Sequence, residues 1–142
     1  MIILSVDYGD ARTGIAVCDK TEFLASPVTV IKESYAPKLA VKVAEIAREK
    51  KAELVVVGYP VNMDGSRGPR AEKCADFAKL LEEEHGLTTT LWDERLTTVE
   101  AHRTLNMTNT RGKDRKAVVD AVAATFILED YMKYRKNHKD EG

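Results

Sequence analysis

The chain has 142 residues, 44% of them apolar and 32% charged, and a net charge of −1. That length suits one packed core and argues against the two related domains that kinase-like ATPases need. The charge balance excludes a uniformly cationic nucleic-acid binder, so any such binding must come from a local patch.

No apolar run approaches the about 18 residues of a membrane-spanning helix. The first apolar run starts at residue 2 and is too short for a secretory signal, so a cytoplasmic location is expected. Cys18 and Cys74 match no zinc spacing and are expected as small buried hydrophobes in a reducing compartment.

Residues 2–6 are apolar except for Ser5, with β-branched Ile2, Ile3 and Val6, the pattern of a buried strand. This strand ends on Asp7. Gly9, Asp10 and Gly14 then mark a turn, and Ile15-Ala16-Val17-Cys18 reads as a strand pairing back on the first. Phe23 to Ile31 reads as a third strand, placed at an edge by Pro27 or beginning late at Val28. From Pro37 to Lys50 the period changes: Leu39, Val43, Ile46 and Ala47 form one apolar stripe of a helix that starts near Ser34 or Tyr35.

Leu54-Val55-Val56-Val57-Gly58 is apolar on both faces, which implies a central, parallel strand. The segment from Tyr59 to Pro69 is rich in Gly, Pro, Asn and Asp and reads as a long binding loop. Arg70 to His85 is a second helix with Ala71, Cys74, Ala75, Phe77, Ala78 and Leu81 inward and Gly86 as its C-cap. Thr88 to Trp92 is a fifth strand ending in Asp93-Glu94-Arg95. Thr97 and Glu100 form a capping box for a short helix to about Leu105. A polar loop over 106–113 precedes a last helix from about Asp114 to Arg135. One domain is expected over 1–136, with a short polar tail at 137–142. The order describes an α/β fold of ribonuclease H-like type: a five-stranded mixed sheet, its first three strands antiparallel, with helices on both faces.

Asp7 fits a turn cap as well as it fits a ligand to metal or phosphate. Asp93 and Glu94 end another strand, and alternation forbids both from facing one spot. Either could instead favour the N-terminus of the next helix. Asp120 shares a helix face with Ala117 and Ala124, where a carboxylate needs a partner; Lys116 at i−4 is one choice. Phosphodiester hydrolysis supplies a reason for such a trio, since magnesium prefers oxygen ligands and carboxylates can hold two ions for an in-line displacement. Arg12 and Arg95 follow these acids and could grip a phosphate or pair with neighbouring carboxylates. Gly65 and Gly68 would let a bound strand approach the backbone. Arg103, Arg111, Lys113, Arg115 and Lys116 make a local basic patch near Asp120. Lys133, Arg135, Lys136 and Lys139 are expected to be solubilising, and His85, His102 and His138 show no ligand spacing.

Four blocks in one order carry a resemblance. They are Asp7-Tyr8-Gly9 with Arg12, Gly14 and Ala16; Val57-Gly58 with Pro60, Asn62-Met63-Asp64-Gly65-Ser66 and Gly68-Pro69-Arg70-Ala71; Asp93-Glu94-Arg95-Leu96-Thr97-Thr98; and Lys116 with Asp120, Ala123 and Ala124. In these the chain resembles the YqgF/RuvX family of bacterial ribonuclease H-like proteins, described as Holliday-junction resolvases and pre-16S rRNA nucleases. Tyr59 departs from the aliphatic residue expected there. The resemblance implies a nuclease using Mg2+ or Mn2+, with two ions expected, and Asp7, Glu94 and Asp120 as metal-binding and catalytic trio. It prefers Glu94 to Asp93. Arg12, Asn62, Gly65, Arg95, Arg111, Lys113, Arg115 and Lys116 are expected to contact nucleic acid. The implied substrate is an rRNA precursor or other structured RNA, with branched DNA as the alternative. A phosphate-loop nucleotide binder and a non-catalytic nucleic-acid adaptor are the rival readings.

Overall fold

The computed structural model describes residues 1–9, 11–60, 68–93 and 113–138, as backbone alone over 113–121 and 137–138. The apolar first strand, β1 (Ile3–Asp7), is buried along its whole length and lies at the centre of a five-stranded sheet. β2 (Thr13–Cys18) and β3 (Ala25–Ile31) follow it antiparallel. β4 (Leu54–Tyr59) and β5 (Thr89–Asp93) lie on its other side and run parallel to it, giving the order β3-β2-β1-β4-β5. Helix α1 (Ala36–Lys50) connects β3 to β4, α2 (Pro69–His85) connects β4 to β5, and α3 (Lys113–His138) ends the described chain.

The mixed sheet, its antiparallel start and the parallel pairing of β4 on both sides are as the sequence implies, with β4 interior and β1 at the centre. β3 occupies an edge, where Pro27 and its missing N–H are tolerated. A register shift opposite Ile15 and Ala16 leaves Val28 as an extra residue in β3. That strand begins at Ala25 rather than Phe23. The Asp19 carboxylate accepts the Phe23 N–H at 2.9 Å, and Glu22 has a left-handed backbone at φ 56. This turn carries Phe23 and Leu24 outward before pairing starts. The last helix runs on to His138. The capping-box helix expected over 98–105 lies outside the described residues.

Alternation divides the core in two. Leu4, Val6, Ile15, Val55 and Val57 meet α1 and α2 on one face, with Phe77 and Leu81 of α2 deeply buried. Ile3, Ala16, Leu54, Val56 and Trp92 meet Ala123, Ala124, Ile127 and Leu128 of α3 on the other. Full burial of each such Leu, Ile or Phe contributes about 1.5–3 kcal/mol, which is why both faces need a helical cover. Trp92 seals the second layer edge-on against Tyr131 and Tyr134, at ring distances of 5.6 and 5.5 Å.

The direction of α3 bears on the site. Ala124 lies over Ser5, whereas Arg135 pairs at 2.7 Å with Glu22, which also holds the Met1 ammonium at 3.0 Å. The helix therefore descends from the Asp7 end of β1 toward its Met1 end. Arg135, expected to be a solubilising base, is instead part of this ion cluster.

Candidate active site at the end of the central strand

β1 delivers Asp7 to the C-terminal edge of the sheet. Ser5 and Asp7 share the parity of Ile3, which packs beneath α3, so all three face that helix. The Ser5 hydroxyl donates to the Ala124 carbonyl at 2.6 Å. Asp7 is only 6% exposed. Its partner across β2 is Gly14. On the β4 side, one step past the Val6–Val57 pair, stands Gly58. Neither neighbouring strand sets a side chain beside the carboxylate. Burial of a carboxylate is costly unless a cation or donors compensate it.

The chain then turns under tight steric control. The Gly9 N–H donates to the Thr13 hydroxyl at 3.4 Å. A Cβ on Gly9 would fall inside van der Waals contact of the Arg12 carbonyl oxygen, so only glycine fits. Arg12 itself is half-buried immediately before β2.

Asp93 lies on the other face. It pairs with Tyr59, which belongs to the core under α1 and α2, while its neighbour Trp92 packs beneath α3. Asp93 therefore does not share the face of Asp7. Glu94, Asn62, Gly65, Arg95 and Arg111 lie outside the described residues. Lys113, Arg115, Lys116 and Asp120 belong to α3 at their backbones, with Asp120 one turn before Ala124. Among the described side chains no three His, Cys, Asp or Glu gather as a metal site; those of Glu94 and Asp120 are not included there.

Arg70 is a candidate functional residue that periodicity and spacing do not mark. It sits in the first turn of α2, and its guanidinium donates to the Tyr8 carbonyl at 3.0 Å. The Tyr8 ring packs on Phe77 of the same helix at 4.8 Å. α2 thus clamps the residue after Asp7 by both backbone and ring. One signal for Arg70 is in the sequence: a cation in a helix's first turn opposes the macrodipole, so its presence calls for a compensating interaction.

Residues 1–134 match the family model described as "RuvX: Holliday junction resolvase". A protein of Ruminiclostridium cellulolyticum is 40% identical over 133 residues, covering 93% of this chain and 94% of its own. One of Lachnospira eligens is 41% identical over 139 residues, covering 96% and 99%. Both carry the name "Putative pre-16S rRNA nuclease". Among solved structures, Thermus thermophilus RuvC superposes with a TM-score of 0.58 at 14% identity, covering 96% of this chain and 97% of that one. The fowlpox virus Holliday junction resolvase gives 0.55 at 17% identity, covering 94% and 99%. At such identities these likenesses concern the fold, which is ribonuclease H-like. Family model, relatives and fold agree along nearly the whole chain, and the protein belongs to the RuvX family.

Proposed function

We propose that this protein is a divalent-metal-dependent endonuclease of the cytoplasm that hydrolyses phosphodiester bonds at the 5′ end of pre-16S rRNA, with Asp7, Glu94 and Asp120 as its metal-binding trio. The observation that carries this reading is the Ser5–Ala124 hydrogen bond. From Ser5, Asp7 lies two residues up β1, about 7 Å along the strand. From Ala124, Asp120 lies four residues back along α3, about 6 Å along the helix and in the same direction. The two acids thus advance together from a common fixed point toward the same edge of the sheet. The opposite parity of Asp93 favours Glu94, the family's choice, as third ligand.

The donor chemistry fits Mg2+ or Mn2+, since carboxylate oxygens are the ligands such ions prefer. Bound there, the metal would supply an activated water and stabilise the charge on the leaving oxygen. The chain's own residues do the rest. Gly14 and Gly58 stand beside Asp7 on the two neighbouring strands and add no side chain there. Arg12 and Arg95 orient the scissile phosphate by charge-assisted hydrogen bonds. Arg111, Lys113, Arg115 and Lys116 draw the nucleic-acid backbone toward the start of α3. Asn62 and Gly65, which fall between β4 and α2 in the chain, contact the bound strand.

The curated relatives' names support the rRNA substrate; the family model's description supports a second reading, resolution of four-way DNA junctions. Incubation of the protein with a 5′-extended 16S rRNA fragment and with a four-way DNA junction, with Mg2+ or Mn2+ and with EDTA, separates them. Metal-dependent cleavage of the RNA is expected. Cleavage of the junction alone would transfer the assignment to DNA. Binding of both with cleavage of neither would make the protein an adaptor.

A further inference from the structure

The contact between Arg70 and Tyr8 links parts of the chain 62 positions apart. Arg70 lies in the first turn of α2, and Tyr8 directly follows Asp7. A guanidinium has five N–H donors. One of them is directed to the Tyr8 carbonyl, and the Arg70 residue as a whole is exposed. A neutral donor would suffice to hold a backbone carbonyl. A permanent cation, placed against the dipole of its own helix, is better matched to an anion arriving from solvent.

The surroundings suit that role. Tyr8 is fixed on Phe77, so the carbonyl that Arg70 grips moves with the rigid body of α2. Phe77 is 2% exposed and anchors that body in the core. Arg70 therefore stands on a rigid element at the rim of the edge where β1 ends.

We propose that Arg70 is a substrate-positioning residue: it clamps the Tyr8 carbonyl, and with it the main chain bearing Asp7, while its remaining N–H groups bind a backbone phosphate of the nucleic acid. This rests on the nuclease reading above and adds to it a phosphate contact and a mechanical link between substrate and strand end. Phosphate binding and alignment of Asp7 then depend on one side chain.

Two conservative variants separate the two halves of the role. Arg70→Gln keeps a donor for Tyr8 but removes the charge. Arg70→Lys keeps the charge but loses the planar fork. Binding of the fluorescein-labelled 5′-extended 16S rRNA fragment is measured against salt in Ca2+, and single-turnover cleavage in Mg2+. For Arg70→Gln the slope of log K against log salt should shrink by about 0.7–0.9, one phosphate's worth, at an unchanged melting temperature. For Arg70→Lys the slope should remain and the cleavage rate fall by about 10- to 100-fold through misalignment. A slope unchanged in Arg70→Gln, in a wild-type protein that does cleave, overturns the phosphate contact. A full cleavage rate in Arg70→Lys, whose single ammonium cannot bridge the Tyr8 carbonyl and a phosphate as the planar fork does, overturns the clamp. A wild type that neither binds nor cleaves the RNA instead overturns the nuclease reading, and this proposal with it.

Discussion

Ser5 and Ala124 lie 119 positions apart and are joined by a 2.6 Å hydrogen bond from a buried hydroxyl to a helix carbonyl. It is the point at which α3 is pinned to the central strand. Ser5→Ala removes the donor and leaves the apolar contacts of Ile3, Ala123 and Ile127 in place. The expected loss is about 1 kcal/mol, or about 2–4 °C in melting temperature. Cleavage should fall more than stability accounts for, because the register of Asp120 against Asp7 depends on this bond. Urea unfolding and initial cleavage rates on one preparation test this; unchanged values of both would refute the anchor.

Gly9 is held by contact, not by an unusual φ. A methyl there meets the Arg12 carbonyl, immediately before β2. Gly9→Ala is expected to cost about 1–3 kcal/mol through forced backbone movement. The urea midpoint measures it. A shift well below that range would mean the turn yields freely.

Local patterns made the strands legible. The unbroken apolar run of β4 marks its interior place between two strands, Pro27 marks the edge strand, and Gly86 marks the left-handed C-cap of α2, observed at φ 66. Asp7 was legible as a buried strand-end acid. What local pattern could not supply is the set of contacts distant in sequence. Ser5 with Ala124, Arg70 with Tyr8 and Glu22 with Arg135 join residues 119, 62 and 113 positions apart. Periodicity describes which face a residue occupies, not which element covers that face. The parity of Asp93 is the intermediate case. Alternation separates Asp93 from Glu94, and the place of Trp92 beneath α3 fixes its phase.

The cluster at Met1 predicts a response to acid. The Glu22 carboxyl is held below its ordinary value of 4.5, chiefly by the Arg135 hydrogen bond and also by the Met1 ammonium. A carboxyl lowered on folding contributes stability that is full above its unfolded pKa and is lost as pH falls through the folded one. Glu22→Gln should therefore lower stability near neutral pH by about 0.5–1 kcal/mol. Its deficit should vanish in acid below the folded pKa of Glu22. Chemical unfolding across that range checks the sign; a deficit that grows with acid would contradict it.

Both cysteines are free and buried. Burial pushes the Cys18 thiol above its ordinary pKa, against the smaller opposing effect of the Ile3 N–H that it accepts. Neither thiol should react with an aromatic disulfide reagent in the native protein at mildly alkaline pH, and both should react in denaturant. Rapid labelling of Cys18 in native protein, located by mass spectrometry, would contradict the packing of β2 against β1.

Asp7 is proposed as a metal ligand of the nuclease site, and Asp7→Asn removes that ligand alone. Asparagine is nearly the same size but carries no charge, so the buried strand end is kept. Cleavage of the 5′-extended 16S rRNA fragment is followed across Mg2+ and Mn2+ concentrations for wild type and variant. Expected is folded Asp7→Asn protein that still binds the RNA and has lost cleavage by about 100-fold or more, as removal of a first ligand requires. Metal-dependent cleavage at the wild-type rate in that variant would contradict the claim.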